Sequence, residues 1–180
     1  MNLYLRFAIV LLTALVRRAL GLLDESVLTF RVWPNDLDVN GHMNNGRYLT
    51  IMDLGRVDLM LRAGLGRMAL KRRWSPRVGS AAIRFRRALN PFQAYQLKSR
   101  ILCWDEKWFF IEQRFERHGE MIATGMVKGL LRGRNGNIPT AEVLESLKIA
   151  ISSPGMPSAI RAWLRSEAAD LNPTADSASS

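Results

Sequence analysis

The hydrophobic pattern of the chain changes from a strand period to a helical period soon after residue 33. Residues 29–33 alternate as a β-strand does, and Pro34-Asn35 ends that strand. From Asn45 onward, one face repeats at i, i+4, i+7 and i+11, which predicts a helix that ends at Ala63-Gly64. Apolar residues also cover much of the remaining circumference, so we predict that this helix is buried on most sides.

The predicted helix carries a glycine on its central face. That face consists of Tyr48, Met52, Gly55 and Leu59. Glycine in a helix interior costs about 1 kcal/mol relative to alanine, so we expect another backbone to approach closely at Gly55.

The second half of the chain reads as a series of strands. The predicted strands are Val78–Ala88, Tyr95–Trp104, Trp108–Glu116 and Met121–Arg132, after a basic linker. Their short connections suit antiparallel hairpins. We expect Arg134–Asn137 to close the sheet and Thr140 to cap a short helix that reaches Leu147.

This order of elements predicts an α+β fold in which a curled antiparallel sheet of about five strands wraps one long central helix. Such a sheet leaves open edges, and pairing of edges or faces between two copies of the chain would cover them. We therefore expect an oligomer, either a homodimer or a tetramer.

Extra helices are predicted at both ends, outside a core domain of residues 25–150. Residues 1–24 form an amphipathic helix whose apolar run, Phe7–Val16, rises about 15 Å and is too short for a hydrocarbon core of roughly 30 Å. Either residues 1–23 lie on a membrane surface, or this helix packs on its own domain or on a second subunit. Residues 151–180 are expected to hold a helix (158–169) and a frayed polar tail.

Composition narrows the possible functions. The 180 residues are enough for one domain, and the formal net charge is +10, mostly from arginine. The arginines are spread along the chain instead of forming a DNA-reading module, so no nucleic acid partner is expected. Cys103 is the sole cysteine, which excludes an internal disulfide, favours a reducing compartment and argues against a structural zinc site.

The stretch DLDVNGHMNNGRY (36–48) carries the candidate chemistry. Asn40-Gly41 permits a sharp turn, and Asn44 or Asn45 is a natural N-cap for the helix. The first helical turn presents unpaired N–H groups, and Asp38 can face the same place. An acid beside such donors is the minimum equipment for hydrolysing an acyl derivative.

Each of these residues also has a structural interpretation. Asp38 suits an Asx-turn, and His42 suits a hydrogen-bonded position in the turn. Asn44 and Asn45 are most simply caps, and Tyr48 is most simply a core aromatic residue.

Two motifs resemble the hotdog-fold acyl-CoA thioesterases of the 4-hydroxybenzoyl-CoA thioesterase type. The first consists of DLD, GHMNN and YL within residues 36–49. The second, WDEKWFFIE (104–112), looks like a hairpin of the branch that includes thioesterase superfamily member 6. The resemblance covers residues 28–147.

The resemblance implies roles for particular residues. Asp38 would be the nucleophile or general base, and the backbone N–H of Asn45 would polarise the thioester carbonyl. Substrate contacts would come from Gly41, His42, Asn44 and Tyr48. Dimers are the smallest unit in this family, with the pocket between subunits. Another hotdog lineage uses a carboxylate within the helix, for which Asp53 is the nearest but weaker candidate.

The leading hypothesis is a cytoplasmic acyl-CoA thioesterase that needs no cofactor and no metal. Five arginines are candidates for binding the phosphates of coenzyme A: Arg84, Arg86, Arg87, Arg132 and Arg134. The alternative is a non-catalytic protein that binds acyl groups or lipids at the membrane surface.

Overall fold

A computed structural model of the protein describes residues 2–170, in which an antiparallel sheet curls around one long helix. The helices are α1 (Leu3–Val16), α2 (Asn45–Arg62), α3 (Leu65–Arg72), α4 (Thr140–Ser146) and α5 (Ser158–Asp170). The strands are β1 (Ser26–Arg31), β2 (Ser75–Phe85), β3 (Ala94–Trp104), β4 (Phe109–Arg117), β5 (Glu120–Gly133) and β6 (Gly136–Ile138). The strand order is β1-β3-β4-β5-β2, and β6 pairs with the end of β5. This leaves β1 and β2 as the edges of the sheet.

The central helix α2 has the bounds and the buried face that the sequence predicts. It begins at Asn45 and gives way at Ala63-Gly64, where Gly64 has a φ of +80° that glycine adopts without strain. The four residues of the predicted face are all buried: Tyr48, Met52, Gly55 and Leu59.

Gly55 lets the sheet approach the helix, although side chains and not a second backbone fill the space. A Cβ atom at Gly55 would lie 2.6 Å from both Leu97 and Ser99, and 2.8 Å from Gln113. The buried Gln113 amide donates to the Met52 carbonyl oxygen (2.8 Å) and to the Ser99 hydroxyl (2.9 Å). These bonds satisfy a polar group that would otherwise be costly to bury.

The segment after α2, expected to be a basic linker, is helical. Apolar residues at i, i+3 and i+4 of α3 face the core, namely Leu65, Met68 and Ala69. The basic residues of α3 face solvent. Strand β2 follows directly, so it starts and ends three residues earlier than the predicted Val78–Ala88.

Several smaller differences concern the ends of elements. Residues 134–137 lead into the additional short strand β6 instead of ending the sheet. Thr140 is the first residue of α4 and not its cap, because Pro139 occupies the cap position and the Thr140 hydroxyl donates to the Asp105 carbonyl oxygen (2.5 Å). The predicted tail, 172–180, lies outside the described residues.

The outer face of the sheet is partly covered and partly charged. Helix α5 places Ile160 against Cys103 and Phe110, and Glu167 of α5 binds both Ser80 and Lys128. Beyond α5, ion pairs cross the strands: Lys98–Glu116 (2.6 Å), Arg100–Glu112 (2.9 Å) and Arg114–Glu25 (2.6 Å). The outer face therefore needs no second sheet to cover it.

Helix α1 packs against α2 on the side that the sheet leaves open. Arg6, Val10 and Ala14 are its buried residues, whereas most of its other apolar side chains are exposed. The helix ends at Val16, before the end of the predicted segment 1–24. Within residues 2–170, no helix combines the length and the apolar character needed to cross a bilayer.

Candidate active site

The segment between β1 and α2 folds as a tight hairpin. Leu37 and Met43 form an isolated antiparallel bridge, and the Asp38 N–H donates to the His42 carbonyl oxygen (2.8 Å). Gly41 closes the turn with a φ of +74°, and its N–H donates to the Asp38 carbonyl oxygen (3.1 Å). The sharp turn predicted at Asn40-Gly41 is thus present.

Hydrogen bonds within this hairpin orient the Asp38 carboxylate. The partly buried side chain accepts, at Oδ1, the N–H groups of Asn40 (2.9 Å) and His42 (3.4 Å). This is the Asx-turn that the sequence offers as a structural interpretation. The same bonds fix the direction of the carboxylate, which a reacting acid also needs.

The first turn of α2 supplies the amide donors. Asn44 is the N-cap: its side chain accepts the Gly46 N–H (2.8 Å), and its own N–H donates to the Asp36 carbonyl oxygen (2.8 Å). In the described part of the chain, the N–H of Asn45 has no acceptor. It lies at the positive end of the helix dipole, where a negatively charged oxygen is stabilised.

Tyr48 is a buried aromatic residue one turn into α2. Its ring contacts Phe85 and Phe115 edge-on, at centroid distances of 5.1 and 4.9 Å. Burial raises the pKa of Tyr48 to about 12, against a smaller opposing effect of the Leu89 backbone. The phenol therefore stays neutral at physiological pH and does not serve as a ready proton acceptor.

Four of the six predicted site residues line one depression of about 310 Å³: Asp38, His42, Asn45 and Tyr48. Gly41 and Asn44 do not line it; Gly41 makes the turn and Asn44 caps the helix. Arg86 and Arg87 complete the wall on the far side, after the end of β2. The depression thus combines an acid, a helix N-terminus and two cations, of which Arg87 also pairs with Glu120.

The five candidate arginines lie in two different places in the structure. Arg84, Arg86 and Arg87 lie at the end of β2 near the depression, whereas Arg132 pairs with Ser75 at the opposite end of the same ladder. Ten residues of extended chain span about 30 Å. Arg132, with Arg134 in the turn beyond it, is therefore too distant to join Arg86.

A second, apolar groove of about 300 Å³ runs between α2 and β2. Val57, Met60 and Val78 are among its lining residues, and its charged lining residues are Asp53, Arg56 and Arg77. Asp53 is 64% exposed and ion-paired to Arg56. Burial lowers the pKa of Arg56, and Asp53 opposes that shift. The groove and the depression share no lining residue, so Asp53 is not placed beside Asn45.

The first acid of the DLD motif has a setting that sequence reasoning missed. Asp36 is 1% exposed and is paired with two arginines, Arg6 of α1 and Arg47 of α2, the latter at 3.2 Å from Oδ1. Its Oδ2 also accepts the Trp33 N–H (2.9 Å). The signal available in the sequence was Arg6, which directly precedes the apolar run Phe7–Val16.

Comparison with known proteins agrees with this architecture. Protein THEM6 of Xenopus laevis is 32% identical in an alignment that covers 90% of this chain and 78% of that protein. The probable thioesterase YbaW of Escherichia coli superimposes with a TM-score of 0.62 at 20% identity, over 68% of this chain and 96% of that one. The gentisyl-coenzyme A thioesterase BH1999 superimposes with a TM-score of 0.60 at 20% identity, over 67% of this chain and 99% of that one.

The protein therefore has the α+β hotdog fold, as predicted. The family model of the Thioesterase-like superfamily matches residues 32–164. The chain belongs to this superfamily. Helix α1, which contributes Arg6, lies outside the matched region.

Proposed function

We propose that the protein hydrolyses an acyl-CoA thioester to a free acid and coenzyme A. The observation that carries the proposal is the shared depression, which Asp38 and Asn45 both line. Membership in the Thioesterase-like superfamily supports the same class of reaction.

In the proposed reaction, the thioester carbonyl oxygen accepts the Asn45 N–H, a type of contact worth about 3–4 kcal/mol as negative charge develops. In one route Asp38 attacks the carbonyl carbon, the C–S bond breaks, and water then hydrolyses the acyl-aspartate anhydride. In the other, Asp38 accepts a proton from water as the water oxygen attacks. In the first route the departing thiolate of coenzyme A takes up a proton from solvent, and in the second it takes the proton from Asp38 as the C–S bond breaks.

The surrounding charge suits the rest of this substrate. Arg86 and Arg87 are exposed on the wall of the depression, and guanidinium groups bind phosphate oxygens through paired, charge-assisted hydrogen bonds. Coenzyme A carries such phosphates at a distance from the reacting thioester. We therefore assign its phosphates to Arg86 and Arg87, and not to Arg132 or Arg134.

Asp38→Asn tests the catalytic assignment. Asparagine keeps the Oδ1 acceptor for Asn40 and His42, so the hairpin survives, but it loses the carboxylate charge. We expect kcat to fall about 10²–10⁴-fold in a thiol-release assay across acyl chain lengths. Cys103 is buried and should not interfere with the thiol reagent.

Asp53→Asn is the matched control, because it removes an acid from the same region without touching the depression, and its kcat should stay near the wild-type value. Full activity of Asp38→Asn would remove Asp38 from the mechanism. Tight acyl-CoA binding without turnover by the wild type would favour the non-catalytic acyl-binding alternative.

Replacing both Arg86 and Arg87 by glutamine tests the phosphate assignment. We expect KM for acyl-CoA to rise roughly tenfold, as the loss of charged hydrogen bonds predicts. KM for the matching acyl-N-acetylcysteamine, which lacks phosphates, should not change. Arg132→Gln is the control at the opposite end of β2. An equal effect on both substrates would contradict the assignment.

We further propose a homodimer formed along the edge strand β2. Every residue of β2 is at least partly exposed, and Pro76, Arg77 and Val78 also line the apolar groove, so a partner strand would cover both. Helix α5 and the charged rows occupy the outer face, which favours the edge over the face as the contact.

Sedimentation of the wild type and of Val78→Asp tests this interface. An unpaired charge in the interface should weaken dimerisation roughly tenfold or more. Val39→Asp, at an exposed loop position, is the control and should remain dimeric. A wild-type chain that sediments as a 20.4 kDa monomer, or a Val78→Asp variant that dimerises normally, would refute the proposed edge.

We also propose that the protein is cytoplasmic and touches an anionic membrane through α1. The outward face of this helix is apolar: Tyr4, Leu5, Leu12, Leu15 and Val16 are exposed. Arg18 follows it, and the net charge of +10 favours anionic head groups. Packing on α2 and contact with a membrane are compatible, because they use opposite faces of the helix.

Vesicle sedimentation with phosphatidylserine tests the membrane contact. The double variant Leu12→Gln and Val16→Gln changes residues that are 67% and 83% exposed and should reduce binding several-fold. Leu70→Gln, at an equally exposed leucine of α3 (82%), is the control and should bind like wild type. No binding of the wild type, or no loss in the double variant, would rule out this contact.

A further inference from the structure

Arg6 is a fully buried cation in a helix whose other buried residues are apolar. It is 1% exposed, and its Nη2 group donates to Oδ2 of Asp36 and to the Arg31 carbonyl oxygen (3.2 Å). A membrane-surface role of α1 would require no arginine on the inward face. Burying a guanidinium is costly unless it is paired, and within residues 2–170 the Nε group of Arg6 has no hydrogen-bond partner, so the pairing of Nη2 with Asp36 has to offset much of this cost.

The partner of Arg6 joins the two ends of the hairpin. The side chain of Asp36 is held at the end of β1, where it accepts the Trp33 N–H, and Arg47 holds it from α2. Its carbonyl oxygen accepts the N–H of Asn44, the cap of α2 (2.8 Å). Asp36 therefore precedes the hairpin in sequence and also binds Asn44, the residue at which the hairpin ends.

The two proposed catalytic groups lie on either side of this connection. Asp38 is two residues after Asp36 in the chain, and Asn45 directly follows the cap residue that Asp36 binds. Movement of Asp36 would therefore change both the direction of the carboxylate and the position of the Asn45 N–H. A displacement of about 1 Å at reacting groups can cost 10²-fold in rate.

We propose that Arg6 and Asp36 are positioning residues, through which helix α1 holds the hairpin with Asp38 and the start of α2 in reactive geometry. This inference rests on the proposed thioesterase activity. It assigns α1 to the catalytic unit, although the match to the family model begins only at residue 32.

The other end of α1 provides an internal control. Arg17 lies 3.4 Å from the carboxylate of Asp58, which is fully buried and also binds Ser26 (2.6 Å) and Arg62 (3.1 Å). Arg6 within α1 and Arg17 at its C-cap are thus both paired with a buried aspartate. Only the Arg6 pair is connected to the hairpin.

The test compares Arg6→Met with Arg17→Met in the full-length protein. For Arg6→Met we expect kcat per folded molecule to fall roughly 10- to 100-fold, with a smaller change in KM. Amide hydrogen exchange of residues 37–45 should become faster. Arg17→Met should keep kcat within about twofold of wild type and leave exchange in this segment unchanged, whatever it does to unfolding.

Arg6→Lys keeps the charge but loses the planar fork, so it should fold and recover part of the lost rate. It also serves as the test if Arg6→Met fails to fold. Equal losses in the Arg6 and Arg17 variants, or unchanged hairpin exchange in Arg6→Lys and Arg6→Met, would overturn the inference. If the wild type shows no turnover, the proposed function fails, and the exchange measurements alone still decide whether Arg6 positions the hairpin.

Discussion

The central constraint of this structure is that α2 must be covered on nearly every side except at its beginning. Its apolar surface requires the curled sheet on one side and α1 on the other. The first turn cannot be covered in the same way, because its N–H groups lack partners within the helix and are costly to bury unsatisfied. The fold therefore leaves an opening where α2 starts, and the depression with Asp38 lies there. Both the deep burial of α2 and the position of the proposed site at its first turn thus follow from the properties of this one helix.

The two faces of helix α1 have different surroundings. Its inward face completes the cover of α2 through Val10 and Ala14, and it brings Arg6 to Asp36 at one end. Its outward face remains apolar and exposed, which is unusual for a soluble surface helix. The sequence left membrane attachment and packing on the domain as alternatives, and the structure shows the packing directly. Because the faces are separate, membrane contact stays a compatible proposal.

Local patterns predicted the fold and the local structure around the candidate site well, because these depend on residues near each other in sequence. The helical period around Met52 and the turn at Gly41 are examples. The α3 helix was missed because its basic residues dominate the composition, although Leu65, Met68 and Ala69 have helical spacing. The partnership of Arg6 with Asp36 could not be predicted, because 30 residues separate them and only the packing of α1 on α2 brings them together. Ranking the arginines similarly required knowing which end of β2 adjoins the hairpin.

The two acids of the DLD motif have opposite environments, and this difference favours different proposed roles for them. Asp36 is sealed from solvent, and its oxygens face Arg6, Arg47 and the Trp33 N–H. A carboxylate that is only 1% exposed is poorly accessible to a substrate, and its ion pairs with two arginines reduce its nucleophilic character. Asp38 is only partly buried and lines an open depression. Of this pair of acids, Asp36 has a structural environment, Asp38 remains the candidate for catalysis, and in our proposal Asp36 determines the direction of the Asp38 carboxylate.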